Sequence, residues 1–169
     1  MKVLLIDPAY TIFTGYESRY FPVGLSYIGS VLKENGYDAV IYDVDRERRD
    51  IGDLNFSREY ERLENYRREL NNDNHFIWKR IVKVVQDYGP EVIGITSLTM
   101  KFGSVVKTAE ICKKAKPDAK VIVGGPHATD WPEICFQSSH IDFCVSGEGE
   151  ESILSLLEAI KNKNEDFQG

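Results

Sequence analysis

The sequence predicts an α/β protein: a parallel β-sheet covered by helices on both faces. Three observations carry that expectation. Short, nearly all-apolar runs recur at Val3–Ile6, Ala39–Tyr42, Glu91–Thr96, Lys120–Val123 and Ile141–Ser146. They do not alternate with polar residues, as strands with one wet face would, so both faces are expected to be buried. Segments with apolar residues at helical spacing follow each run, and strand–helix alternation repeated five times implies right-handed crossovers between parallel strands. Binding sites in such a sheet collect at the carboxyl ends of the strands.

With 169 residues, 42% hydrophobic and 28% charged, the chain matches one domain of ordinary size, roughly 100–150 residues being typical. The formal charge of −6 argues against a nucleic-acid partner, which needs an excess of lysine and arginine. The first apolar run is too short for a signal peptide or membrane span, so a cytoplasmic location without a membrane span is expected. Cys112, Cys135 and Cys144 are odd in number and lack C-x-x-C spacing. They read as buried free thiols, not as a disulfide framework or a metal site.

The first strand, Val3–Ile6, ends at Asp7-Pro8-Ala9. A long loop follows, with Tyr10, Phe13, Gly15, Tyr16, Tyr20 and Phe21, expected to form either a lid over the sheet edge or a wall for a flat ligand. Pro22 suits a first helical position, and Val23, Leu25, Ile28, Val31 and Leu32 make an apolar stripe that Asn35-Gly36 terminates. The second strand ends at Asp43. No G-x-G-x-x-G precedes it, so it reads as an end-of-strand carboxylate and not as a dinucleotide ligand.

Residues 46–75 read as a polar helical insertion whose apolar stripe would be Leu54, Tyr60, Leu63, Tyr66 and Leu70. His75 is expected at the surface or as a cap. Phe76, Ile77, Ile81, Val82, Val84 and Val85 predict the next helix, closed by Tyr88-Gly89-Pro90.

After the third strand, Ser97-Leu98-Thr99 puts two hydroxyls at a strand end, suited to cap the helix Lys101–Ala115 or to touch a ligand. The fourth strand runs into Gly124-Gly125-Pro126-His127, where missing side chains would let a ligand approach the backbone. A short helix is expected from Thr129 or Asp130 towards Ser138. Past the fifth strand, Gly147-Glu148-Gly149-Glu150 opens a last helix with Ile153, Leu154, Leu156, Leu157 and Ile160 as its apolar face. The tail from Lys161 is polar.

No nucleophile elbow, phosphate loop or zinc helix is present. Glu148 and Glu150 are accounted for by the helix dipole. A free-standing enzyme using His127 and Glu148 has little support, because a loop histidine without a paired carboxylate makes a poor general base. We therefore expect no catalytic residues and no protein metal ligands. The glycines and small hydroxyls at the strand ends suit something large and flat.

Four stretches together resemble a family: Pro22-Val23-Gly24-Leu25 with Tyr27-Ile28, Val92–Thr99, Val121–Thr129, and Asp142–Glu150. The chain resembles the N-terminal cobalamin (B12)-binding domain of class B radical SAM proteins, which include anaerobic magnesium-protoporphyrin IX monomethyl ester cyclase-like proteins and B12-dependent methyltransferases. The resemblance implies a flavodoxin-like (Rossmann-like) five-stranded sheet of order 2-1-3-4-5 with a helical insertion after strand 2. It implies a cobalamin-binding domain over 1–163 and a tail, 164–169, leading to an absent radical SAM domain. That domain would be the partner, holding S-adenosylmethionine and a 4Fe-4S cluster and acting on a small-molecule substrate by methyl transfer or a related radical reaction.

By position, the resemblance assigns cofactor contact to Pro8, Ala9 and Tyr10, to Ser97, Leu98 and Thr99 beside the nucleotide tail, to Gly124, Gly125, Pro126 and His127, and to Gly147, Glu148 and Gly149. The chain departs from the D-x-H-x-x-G pattern of other cobalamin domains: Asp7-Pro8-Ala9 has no histidine, so no cobalt ligand comes from there. The alternative is a degenerate domain without corrin that recognises substrate or docks a partner.

Overall fold

In the computed structural model, which describes residues 1–15, 21–47 and 59–162, the five apolar runs hydrogen-bond into one parallel sheet. The strands are β1 (Lys2–Asp7), β2 (Asp38–Asp43), β3 (Val92–Thr96), β4 (Lys120–Gly124) and β5 (Phe143–Val145), in the order β2-β1-β3-β4-β5. Every pairing is parallel, giving the flavodoxin-like sheet the sequence implies.

Because successive side chains on a strand point to opposite faces, the sheet divides its residues between two cores. Leu4, Ile6, Ile93, Ile95, Val121 and Val123 face α4 (Phe76–Tyr88) and α5 (Phe102–Ala115). Val3, Leu5, Val92 and Ile122 face α2 (Val23–Glu34) and α8 (Gly149–Lys161). Gly94 and Gly124 lie in register with the second set, Gly94 opposite both Leu5 and Ile122. At those points that face carries no side chain.

Helix ends follow the sequence closely. Gly36 takes φ +79 behind Asn35, and Tyr37 N–H donates to the Leu32 carbonyl, closing α2 as a left-handed C-terminal residue does. His75 Nδ1 accepts from Ile77 N–H at 3.3 Å, so this histidine is the α4 cap.

Several expectations are corrected. The segment after β1 contains a short helix, α1 (Thr11–Thr14). Two of its rings pack inward instead of forming a lid or ligand wall, Phe13 at 5.3 Å from Trp78 and 6.1 Å from Tyr66 and Tyr10 at 5.3 Å from Tyr66, while Phe21 is exposed. Tyr16 and Tyr20 lie outside the described residues. In the insertion, α3 (Glu59–Leu70) buries Tyr66 and Arg62, whereas Tyr60 and Leu63 are exposed; Leu54 falls outside the described residues. The buried face is set by where Tyr66 reaches, its hydroxyl lying 3.0 Å from Ser104 Oγ in α5.

The single helix expected near Asp130 is two, α6 (Pro126–Asp130) and α7 (Pro132–Cys135). Trp131 sits at φ −138, ψ 68, because a residue before proline is excluded from the helical region. β5 is shorter than expected, since Ile141 N–H is still engaged by the Ser138 carbonyl of the preceding turn. Neither Ser97 nor Thr99 caps α5, which begins after a 3-10 turn, Thr99–Lys101, without a side-chain cap.

Candidate functional site

On the α2/α8 face a cavity of about 590 Å³ opens at the carboxyl ends of β3 and β4, within the usual range for small-molecule sites. Its apolar depth combines Leu5 and Ile122 from the sheet with Leu25 and Ile28 of α2 and Ile153 of α8. Polar groups, among them Thr96, Thr129, Asp130, Glu148 and Glu150, join them in the lining.

Glycine at the centre of β3 leaves room for Leu5 in the cavity floor. A Cβ on Gly94 would stand 2.8 Å from Leu5 Cδ2. Gly149 allows α8 to approach α2, since a Cβ there would stand 2.9 Å from Ile28 Cδ1.

Gly125 has a different reason. At φ +104 it is in a conformation that L side chains rarely adopt, and a Cβ would meet Ser97 O at 3.0 Å and Ser97 N at 3.1 Å. Its bareness serves the junction between the β3 and β4 ends, where Ser97 N–H donates to the Gly124 carbonyl at 2.7 Å and His127 N–H to the Ser97 carbonyl at 3.1 Å. Gly124 is less constrained, its Cβ position meeting only ordinary contacts with Val145.

Of the thirteen residues singled out from the sequence, Leu98, Gly124, Gly125, Pro126, Gly147, Glu148 and Gly149 line the cavity. The other six do not. Pro8 and Ala9 are buried and Tyr10 packs on Tyr66, with Ala9 in the α4/α5 core. Ser97, Thr99 and His127 form the adjoining junction: Thr99 Oγ1 pairs with His127 Nδ1 at 3.1 Å, and Phe102 and Trp131 flank the imidazole. Among the described residues, Ser97 Oγ and His127 Nε2 are buried without a hydrogen-bond partner.

The sequence reading missed the floor and the lacing of the cavity. Gly94 interrupts a β-branched strand, a signal for close approach that was available. Thr129 gave no such signal, yet its hydroxyl accepts from Gly147 N–H at 3.0 Å and donates to the Gly125 carbonyl at 3.1 Å, tying two lining loops together.

On the other side of the β1 end lies a buried ionic group. Lys101 Nζ is 2.7 Å from Asp7 Oδ1 and 3.9 Å from Asp45 Oδ2. Asp45 also accepts the backbone N–H groups of Tyr10, Thr11 and Ile12. Burial raises the Asp7 carboxyl above its ordinary value, a rise that Lys101 opposes and that Asp43 and Asp45 reinforce. Among the described residues no group of histidine, cysteine and carboxylate side chains is arranged to hold a metal ion, and no helix is long and apolar enough to cross a membrane.

The family model for the B12 binding domain matches residues 11–157. The chain belongs to the B12-binding domain family. Within it, the chain is 32% identical over 172 aligned residues to cytidylyl-2-hydroxyethylphosphonate methyltransferase of Streptomyces wedmorensis, covering 98% of this chain and 29% of that protein. It is 27% identical to the anaerobic magnesium-protoporphyrin IX monomethyl ester cyclase of Rubrivivax gelatinosus, covering 95% and 24%. A shorter match, 29% over 79 residues, joins 46% of this chain to 12% of the cobalamin-dependent radical SAM methyltransferase TokK of Streptomyces tokunonensis. This B12-binding domain thus spans less than a third of the length of these relatives. Among solved structures, the RcsB response regulator of Salmonella typhimurium superposes with a TM-score of 0.56 at 14% identity, covering 100% of this chain and 63% of that one, a likeness of fold alone.

Proposed function

We propose that this chain is the cobalamin-binding module of a B12-dependent radical SAM enzyme, the cavity between α2 and α8 receiving the nucleotide tail while the corrin lies over the strand ends. The observation that carries the reading is the bare floor: two of the cavity-lining strand positions, Gly94 and Gly124, are glycines, so the sheet sends no side chain into the space there. The residues fit the group. An apolar depth formed by Leu5, Leu25, Ile28 and Ile153 suits a flat heteroaromatic base, and the buried hydroxyl of Ser97, lacking a partner, leaves a polar group to spare beside it.

Bound cobalamin would supply a cobalt centre able to carry a methyl group. The chain's own part is to bind and orient. Leu98, Gly124, Gly125 and Pro126 form one wall, Gly147, Glu148 and Gly149 the other, and Thr129 fixes the distance between them. With alanine where a histidine would stand, residue 9 offers no imidazole to the metal. Methyl transfer, or a related radical reaction on a small molecule, belongs to a partner radical SAM domain carrying S-adenosylmethionine and a 4Fe-4S cluster.

The test is to mix the purified chain with hydroxocobalamin, remove free cofactor by gel filtration and record the visible spectrum. Retention with a changed spectrum is expected for the native chain and not for Gly94→Val, whose folding is checked by circular dichroism. A native chain that retains no cofactor would overturn the reading and favour the degenerate docking module. Equal retention by a folded Gly94→Val would move the tail out of this cavity.

A further inference from the structure

Cys135 closes α7 and Cys144 is the middle residue of β5. The intervening turn brings their sulfurs to 3.1 Å from each other, and Cys144 Sγ lies 3.8 Å from the Ala128 carbonyl oxygen. Cys135 is fully buried and Cys144 half-buried, while Cys112 is buried separately in α5. A disulfide needs its sulfurs about 2.05 Å apart, so closing this pair brings the sulfurs together by about 1 Å from their 3.1 Å separation.

We propose that Cys135 and Cys144 form an oxidation site, at which a peroxide converts the two thiols into a reversible disulfide that fastens α7 to β5. The half-buried Cys144 reacts first. Its thiolate attacks the peroxide O–O bond, one oxygen joins sulfur as a sulfenic acid, and the other leaves as hydroxide, which a proton turns into water. Cys135 sulfur then attacks Cys144 sulfur, the S–S bond forms, the S–O bond breaks, and the hydroxyl departs as a second water with the Cys135 proton. Two thiols lose two electrons and one peroxide gains them.

The order of attack follows from the surroundings. Cys144 is half-buried and can be reached by the peroxide, whereas Cys135 is fully buried. Burial and the adjoining Cys144 push the Cys135 thiol up to about 12, so Cys135 gives up its proton only as it attacks the neighbouring sulfenic acid. The bond would matter because of what it joins. β5 is held to β4 by three register pairs, Ile122 with Phe143, Val123 with Cys144 and Gly124 with Val145. Ala128, whose carbonyl oxygen lies 3.8 Å from Cys144 Sγ, is followed by the cavity-lining Thr129, and Cys144 is followed by Val145 and Gly147, which also line it. A cross-link here ties α7 to the strand that leads into the Gly147–Gly149 wall.

The experiment treats the full folded chain with hydrogen peroxide, alkylates remaining thiols after unfolding, and maps the peptides by mass spectrometry. The expected product has lost two hydrogen atoms, carries a Cys135–Cys144 link that dithiothreitol reverses, and leaves Cys112 alkylated. In Cys135→Ala, dimedone should trap Cys144 as its sulfenic acid. The oxidised native chain should unfold at higher temperature than the reduced one, because the link restricts the unfolded chain. A native chain whose Cys144 is oxidised without linking, or whose thiols all survive peroxide while folded, overturns the proposal. So does a link that involves Cys112.

Discussion

At the scale of single residues, two neighbouring glycines do different work. Gly125 holds a positive φ against the Ser97 backbone, whereas Gly124 meets only ordinary contacts. Gly125→Ala should therefore cost about 1–3 kcal/mol, the price of such a strained backbone, and Gly124→Ala well under that; urea unfolding of the two variants measures the difference, and equal losses would refute it. Lys101 gives a second case. With Lys101→Met, Asp7 stays buried without its cation, and removing one partner of a buried pair costs about 3–5 kcal/mol. Folding raises the Asp7 carboxyl above its ordinary value, so what this group contributes to stability is present in acid, below its unfolded pKa, and is lost as pH rises through its folded pKa. Without Lys101 the rise is larger and so is the loss. The variant should thus be weakest near neutrality and regain part of its stability in mild acid, where Asp7 takes up a proton. Urea midpoints at the two pH values check this, and an identical deficit at both would show that Asp7 is not the group concerned.

At the scale of elements, α1 depends on a residue far along the chain. It spans only Thr11–Thr14, and its first N–H groups are satisfied by Asp45, 33 to 35 residues away. Asp45→Ala should cost about 0.5–2 kcal/mol, as loss of a helix cap does, and should raise amide hydrogen exchange at Tyr10, Thr11 and Ile12 while leaving β3 and β4 protected. Unchanged exchange at those amides would mean the cap does not hold the helix. The same example explains why α1 was not legible in the sequence: its cap comes from the turn after β2, Val44–Glu47, and not from the residue before it. What was legible was local. The α2 stripe with Asn35-Gly36, the His75 cap and the all-apolar strands each announce themselves within a few residues. The face of α3 was misjudged because Tyr60, Leu63 and Tyr66 are equally apolar on paper, and only the position of Ser104 decides that Tyr66 turns inward. The candidate site was half legible for a related reason. Glycines at strand ends mark the rim, but Leu25, Ile28 and Ile153 belong to ordinary helix stripes and become a cavity lining only once α2 and α8 lie side by side over Gly94.

At the scale of the whole molecule, the sheet separates a filled core from one that has been left incomplete. On the α4/α5 face Ile81 is fully buried in a continuous cluster. On the α2/α8 face Ile153 is almost as buried, 5% exposed, but it borders the cavity. The same chemical deletion should have opposite consequences on the two sides. Ile81→Ala opens a void in packed surroundings and should cost towards the upper end of the usual 2–5 kcal/mol range for such truncations, about 4 kcal/mol. Ile153→Ala enlarges a space that is already there, breaks fewer packing contacts, and should cost about 2 kcal/mol or less. A ligand that binds only the folded chain adds stability in proportion to its affinity. If the cavity receives the tail of cobalamin, added hydroxocobalamin should raise the urea midpoint of Ile81→Ala as much as that of the native chain, and that of Ile153→Ala by less. An equal rise in both variants would place the binding surface away from α8. A smaller rise in Ile81→Ala than in Ile153→Ala would mean that the sheet couples its two faces instead of insulating the site from the core behind it.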